Sequence, residues 1–345
     1  MSARIERWTN LSRAALGVAG AGVLALACGP LFLGADAIDK LTTLFIYVIL
    51  AAMWNAMAGY GGLISIGQQA FLGLGAYVAA RLADAGVPVY PALLLAACIV
   101  AAIALPLSVA MLRLRAGEFA IGMWVVAELA HLLVNLDGLV QGETGTSLIA
   151  LDAYPAAARH AATYWAALAA ATLLLAALFI LLRGRAGAAI QAIRDNEAAA
   201  ASLGVQVLAT KRLLFVLAAF GVAMAGALWL ATSITFQPKT YFSVRWTAYM
   251  IFMVLVGGLG TFEGPILGAV VFFALEAWFG DAGVWYLVGL GATALLFSLF
   301  LPRGVWGWVE DRTGLRLLFV GYRVTLAGLV PDGRGTDPPP PRGAG

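Results

Sequence analysis

Ala186–Arg212 reads AGAAIQAIRDNEAAAASLGVQVLATKR, a charged, helix-favouring stretch set between two strongly apolar runs. It is far longer than a connection between two packed helices requires. Ile190, Ile193 and Leu203 form an apolar stripe, Arg194, Asp195 and Glu197 supply charge, and an alanine-rich helix ends at Gly204, a residue suited to a left-handed cap. The flanking runs, Tyr164–Leu182 and Leu213–Ala231, are each close to the ~20 residues that cross a hydrocarbon core. The segment therefore reads as the main polar feature of a membrane protein.

The whole chain supports that class. Of its 345 residues 62% are hydrophobic and only 11% charged, and 40 are glycine. Further apolar runs at Ala14–Leu33, Leu41–Ala58, Leu63–Arg81, Tyr90–Leu112, Phe119–Leu136, Trp246–Gly257, Pro265–Gly280 and Val284–Leu301 bring the expected crossings to about ten. None shows the period-two alternation of a membrane barrel, so the expected fold is an all-α polytopic membrane protein. Most of the 21 Lys and Arg residues fall on one side of this layout, which predicts cytoplasmic termini and an even number of crossings. The +3 net charge is then a topology signal and no sign of nucleic acid. Residues 1–13 are expected to be a cytoplasmic start, 14–310 the membrane domain with a cytoplasmic loop at 183–212, and 311–345 a tail, disordered from about 331, where proline and glycine replace apolar periodicity. Cys28 and Cys98 read as buried thiols within spans.

Two glycine-rich stretches resemble each other, Gly61-Gly62-Leu63 with Leu72-Gly73, and Gly257-Gly258-Leu259-Gly260 with Leu267-Gly268, offset by 196 residues at the first element and 195 at the second. An internal parallel repeat is expected from them. Glycine permits close helix approach and helix breaks, so Ser65, Gly67, Gln68, Gln69, Gly73, Gly75, Gly257, Gly258 and Gly260 are candidates for a translocation path or gate. Tight packing, with the amides bonded to neighbouring helices, is the competing reading.

No phosphate loop is present: Lys40, Lys211 and Lys239 follow Asp, Thr and Pro. Hydrolysis by this chain is excluded on that ground, and no nucleophile and base pair or metal-ligand set suggests an enzyme. Glu128 and His131 stand three apart on one helix, but a di-iron site needs a second such pair, so no metal is expected. Glu128 and Glu276 are intramembrane acids, each costly at about 2.5–3.5 kcal/mol on insertion scales. They are read as acids tying helices together, the sharper alternative being an ion-coupling site of a secondary transporter. Asn135–Thr163, the longest connection on the outer face, carries Asp137, Glu143, Asp152 and Arg159 and is expected to dock an external partner.

The loop Glu197-Ala198-Ala199, four residues, then Gly204 at its end resembles the coupling loop by which ABC importer permeases meet their ATPases, and AIRDNEAAAASLGV resembles that of the branched-chain amino-acid (Liv-type) permease family. GYGGLISIGQQAFLGLGAY from Gly59, MVLVGGLGTFEGPILGAV from Met253 and LFLPRGVWG from Leu299 agree in family order. The resemblance implies a ten-helix importer fold and half of a heterodimeric pore in a bacterial inner membrane. Its partners would be a sister permease, two cytoplasmic ABC ATPases that use ATP and Mg, and a periplasmic or lipid-anchored solute-binding protein; this chain would bind no cofactor. Arg194, Asp195, Glu197, Ala198, Ala199 and Gly204 would carry the ATPase contact. Thr247-Ala-Tyr249 stands where many relatives have Ser-x-Glu, and Gln68-Gln69 where many have His-Ala; the family also includes permeases for urea and small amides. The implied solute is a branched-chain or related amino acid, with a small amide as the alternative.

Overall fold

Where no water is present to solvate the backbone, an apolar run folds as a helix that satisfies its own N–H and C=O groups. In the computed structural model a helix stands at each expected crossing; the structure describes residues 3–6, 10–301, 303–313 and 323–326. A strand β1 (Ala3–Glu6) precedes α1 (Asn10–Ala27), the short α2 (Gly29–Phe32), α3 (Ala35–Asn55), α4 (Gln69–Asp84), α5 (Val89–Met111) and α6 (Ala116–Asn135). The long connection that follows holds β2 (Thr146–Ser147) and leads to α7 (Ala156–Arg183). Next come α8 (Arg185–Asp195), α9 (Glu197–Ser202), α10 (Val207–Ser233), β3 (Thr235–Phe236) and α11 (Pro238–Tyr241). The chain continues through α12 (Arg245–Gly257), α13 (Gly264–Phe279), α14 (Val284–Phe300), α15 (Gly304–Thr313) and β4 (Arg323–Leu326). β1 pairs antiparallel with β4, so the two ends of the membrane domain meet on one side. The expected disorder beyond 331 lies outside the described residues.

Among the described residues six helical stretches are long and apolar enough to cross a membrane: Ala35–Tyr60, Val89–Met111, Gly117–Asn135, Ala156–Arg183, Val207–Ser233 and Trp285–Thr313. Ser12–Ala27 and Gly264–Phe279 are apolar but shorter. The centre of the fold is formed by α3 and α10, which are buried along most of their lengths. α4 and α5 pack on α10, α7 packs on α3, and α12 and α13 pack on each other and on α3. α4 and α10 meet with almost no side chain between them: a Cβ on Gly75 would fall 2.1 Å from the Ala223 carbonyl oxygen, and one on Gly226 would fall 2.0 Å from that of Leu72. Small residues are what permit such a contact in lipid, where packing rather than water exclusion holds helices together.

Three expectations need correction. The third helix starts at Gln69 and not at Leu63, because α3 ends in a π-helical turn, Ala56–Tyr60, and residues 61–68 are unwound. Cys28, in the turn between α1 and α2, and Cys98, on α5, are exposed, not buried. The helix-favouring 186–212 stretch is not continuous: it holds most of α8, all of α9 and the start of α10, with a break at Asn196, whose extended backbone lets its side-chain oxygen accept from Ala199 N at 3.0 Å and cap α9.

Candidate functional site

α8 follows α7 after a single residue, Gly184, and the turn is tight: a Cβ on Gly187 would sit 1.9 Å from the Leu182 carbonyl oxygen. Ile190 and Ile193 face the membrane helices and are 2% and 4% exposed, so the expected apolar stripe is mostly spent inside this chain. Leu203, 83% exposed, is the apolar side chain left facing away. α9 ends as a two-bond left-handed cap: Gly204 (φ +85°) donates to Ala201 O at 3.0 Å, and Val205 N donates to Ala200 O at 3.1 Å. Ala198 and Ala199 lie exposed on α9 beside Glu197, whose carboxylate takes a hydrogen bond from Lys211 Nζ at 2.6 Å and so fastens α9 to α10.

Arg194 joins this segment to the membrane domain. Its Nε and Nη2 bind Asp195 at 3.0 and 2.9 Å, while Nη1 donates to Gly59 O at 2.9 Å. Gly59 ends α3 at one glycine-rich reversal, and the second reversal lies against it. Asn55, 1% exposed, spans the two: its Oδ1 accepts from Gly260 N and its Nδ2 donates to Thr261 O, each at 2.8 Å. A Cβ on Gly260 would be 3.3 Å from Gly59 O and 3.7 Å from Arg194 Nη1. Gly62 (φ +67°), Gly258 (φ +135°) and Gly260 (φ +75°) all hold backbone conformations that side chains resist, which explains glycine at both reversals. The two matched stretches thus converge on one junction under α8.

The path candidates divide. Ser65, Gln68 and Gln69 are buried inside this chain. Ser65 accepts from Trp54 Nε1 through its carbonyl, Gln68 Nε2 donates to Met57 Sδ, and Gln69 accepts from the Thr247 hydroxyl, linking α4 to α12. Gly67 packs on the Met123 carbonyl, Gly73 on the Phe242 ring, and Gly257 on the Gly264 carbonyl. The competing reading, packing and interhelical bonding, describes these contacts. From Leu63 the unwound segment alternates: Leu63, Ser65 and Gly67 face in, while Ile64 and Ile66 face out. Ile64 and Ile66 are therefore the segment's side chains available to a pore, which the sequence reading missed. The alternation within GLISIG was the available signal.

Glu276 accepts from Tyr47 Oη at 2.7 Å, tying α13 to α3 as the plainer reading has it. Glu128 lies on the exposed side of α6, 3.5 Å from His131 Nδ1, and His131 Nε2 is 2.9 Å from Glu143. Glu143 also accepts from Asn135 Nδ2 and from Lys239 N. Asp137 accepts from Tyr77 Oη and pairs with Arg81. The Tyr77 hydrogen bond holds the Asp137 carboxyl below its usual range. Asp137 and Glu143 of the outer connection are thus engaged within the chain, while the Glu143 side chain stays half exposed. The Asp152 side chain lies outside the described residues.

The sequence profile of a family described as "Branched-chain amino acid transport system / permease component" matches residues 37–301. The chain is 27% identical to the high-affinity branched-chain amino acid transport system permease protein LivM of Salmonella typhimurium, over 80% of this chain and 71% of that protein. It is 27% identical to LivM of Escherichia coli, over 82% and 72%. Among solved structures it resembles a metal-chelate type ABC transporter in an inward-facing conformation, with TM-score 0.44 and 15% identity, over 88% of this chain and 100% of the other.

Proposed function

Because the chain belongs to the branched-chain amino acid transport system permease family, we propose that it is one half of the translocation pore of an ATP-driven importer for branched-chain or related amino acids. In this reading all ten helices at the expected positions cross a bacterial inner membrane, both termini and α8–α9 are cytoplasmic, and the two glycine-rich units are parallel repeats. The permease domain takes in residues 14–310, with 183–212 as its coupling loop. A sister permease completes the pore, two ABC ATPases hydrolyse MgATP, and a solute-binding protein delivers the solute.

The observation that carries the reading is the placement of Arg194. It sits on α8, in the helical pair between α7 and α10, and it reaches the carbonyl of Gly59, where both reversals meet. A push on α9, through Leu203 and the exposed alanines, has in Arg194 and Asn55 a hydrogen-bonded route to both reversals. A junction of this type suits conversion of ATPase closure into a change of access. Ile64 and Ile66 then face the path or the sister permease.

The test is to express the chain with its natural neighbours and compare wild type with Glu197→Lys combined with Gly204→Leu. Loss of ATPase copurification and of labelled leucine uptake, with membrane insertion retained, is expected. Wild-type values for both would reduce α8–α9 to a connector. Running urea beside leucine in the uptake assay separates the amino-acid solute from the small-amide alternative.

A further inference from the structure

On the face opposite α8, a cavity of about 400 Å³ opens between α3, α10, α12 and α13. Its size lies within the ~300–1,000 Å³ of small-molecule pockets. Aromatic rings form its walls in contact with one another: Tyr47 stacks on Trp229 with centroids 6.1 Å apart, Trp229 meets Trp246 edge-on at 4.9 Å, and Trp246 is 6.1 Å from Tyr249. Into this box projects one carboxylate, Glu276, near the end of α13. Arg245, the first residue of α12, also lines it.

A helix tie explains only part of this. Joining α3 to α13 takes one oxygen of Glu276 and the Tyr47 hydroxyl, whereas an ionised carboxylate accepts about four hydrogen bonds. An acid placed among aromatic rings, with their negative faces, is suited to a cation. A guanidinium on the same cavity is suited to a planar anion, which it can bind through two parallel hydrogen bonds. We propose that this cavity binds the zwitterion of an apolar α-amino acid, with its ammonium at Glu276 and the aromatic rings, its carboxylate at Arg245, and its side chain against the indoles. The identity of the ligand rests on the amino-acid import reading; the site itself rests on the cavity. The site lies within one permease subunit, on the side from which solute would arrive.

The experiment uses the full chain, purified in lipid nanodiscs, with radiolabelled L-leucine as the probe. L-Leucinamide, lacking the carboxylate, and 4-methylpentanoate, lacking the ammonium, serve as competitors. Saturable leucine binding is expected, weakened about tenfold or more by Glu276→Gln and by Arg245→Met, the loss of one charge-assisted hydrogen bond. Leucinamide should compete equally on wild type and Arg245→Met, and 4-methylpentanoate equally on wild type and Glu276→Gln. This reciprocal pattern cannot come from misfolding, which would weaken every ligand alike. Absence of saturable binding to the wild type, or an unchanged Kd in both variants, would overturn the site. Leucinamide binding as tightly as leucine, with no effect of Arg245→Met, would also overturn it, leaving a bare cation cage. Leucine uptake by the assembled importer is scored apart: wild-type uptake by both variants removes the site and leaves the import reading, while a wild type that moves no amino acid removes the import reading.

Discussion

Replacing Asn55 by Ala tests the junction most directly. The amide is 1% exposed and makes two 2.8 Å hydrogen bonds to backbone groups of the second reversal, Gly260 N–H and Thr261 C=O. Truncation removes both bonds and leaves a donor and an acceptor behind. A lost hydrogen bond costs roughly 1 kcal/mol net, and a stranded buried group about 1–3 kcal/mol. Interhelical polar pairs in membrane proteins average only about 0.6 kcal/mol, with a maximum near 1.7. Two such bonds at the membrane value give about 1–3 kcal/mol, which corresponds to roughly 5- to 150-fold at 1.4 kcal/mol per decade. Amide hydrogen exchange, followed by mass spectrometry on the peptide spanning 257–264, reads this directly, because the Gly260 amide is protected by Asn55. Exchange there should accelerate within that range, while peptides from α5, distant from the junction, exchange as before. Unchanged exchange at 257–264 would refute Asn55 as the link between the reversals.

Gly75→Ala should lower the melting temperature in detergent by forcing α4 from α10, an overpacking cost of about 1–3 kcal/mol; an unchanged midpoint would show that the pair has room. Leu203→Asp alters the exposed apolar side chain of the α9 end and should cut ATPase copurification without changing the melting midpoint; retained copurification would place the contact elsewhere. The Asp137 clasp has a definite pH window. Its carboxyl titrates lower folded than unfolded, so its stabilisation is full above the unfolded value of about 3.9 and is lost only as pH falls through the lower folded one. The stability gap between wild type and Asp137→Asn should stay constant from pH 8 to 5 and narrow below 4; a gap that changes between pH 8 and 5 would contradict this.

The helices were legible because each apolar run carries its own length and composition, and a run in lipid has no alternative to helix. Gly204 was legible for a local reason too: its cap depends on residues within one turn. Asn196 gave a local signal that was passed over, since Asn before a Glu-Ala-Ala run is a favoured helix start. The direction of Ile190 and Ile193 was not legible. An amphipathic stripe fits a partner's groove and its own chain's helices equally well, and only the sharp turn at Gly184 decides which it meets. Asn55 could have been marked as a lone amide in an apolar run, but its partners lie more than two hundred residues away, and nothing local names them.

The single-residue joint at Gly184 sets the gearing of the molecule. With Gly187 pressed on the Leu182 carbonyl, the joint between α7 and α8 has little slack, and in the proposed coupling the two would turn together as the arms of a bell crank. The arms differ in length, 28 residues against 11. At 1.5 Å per residue the long arm is about 42 Å, so a tilt of about 5° at the short arm displaces its far end by about 4 Å. In that coupling a modest stroke on the short arm would be enlarged on the opposite face, with the cap at Gly204 and the Lys211 tether setting how much of it passes instead into α10.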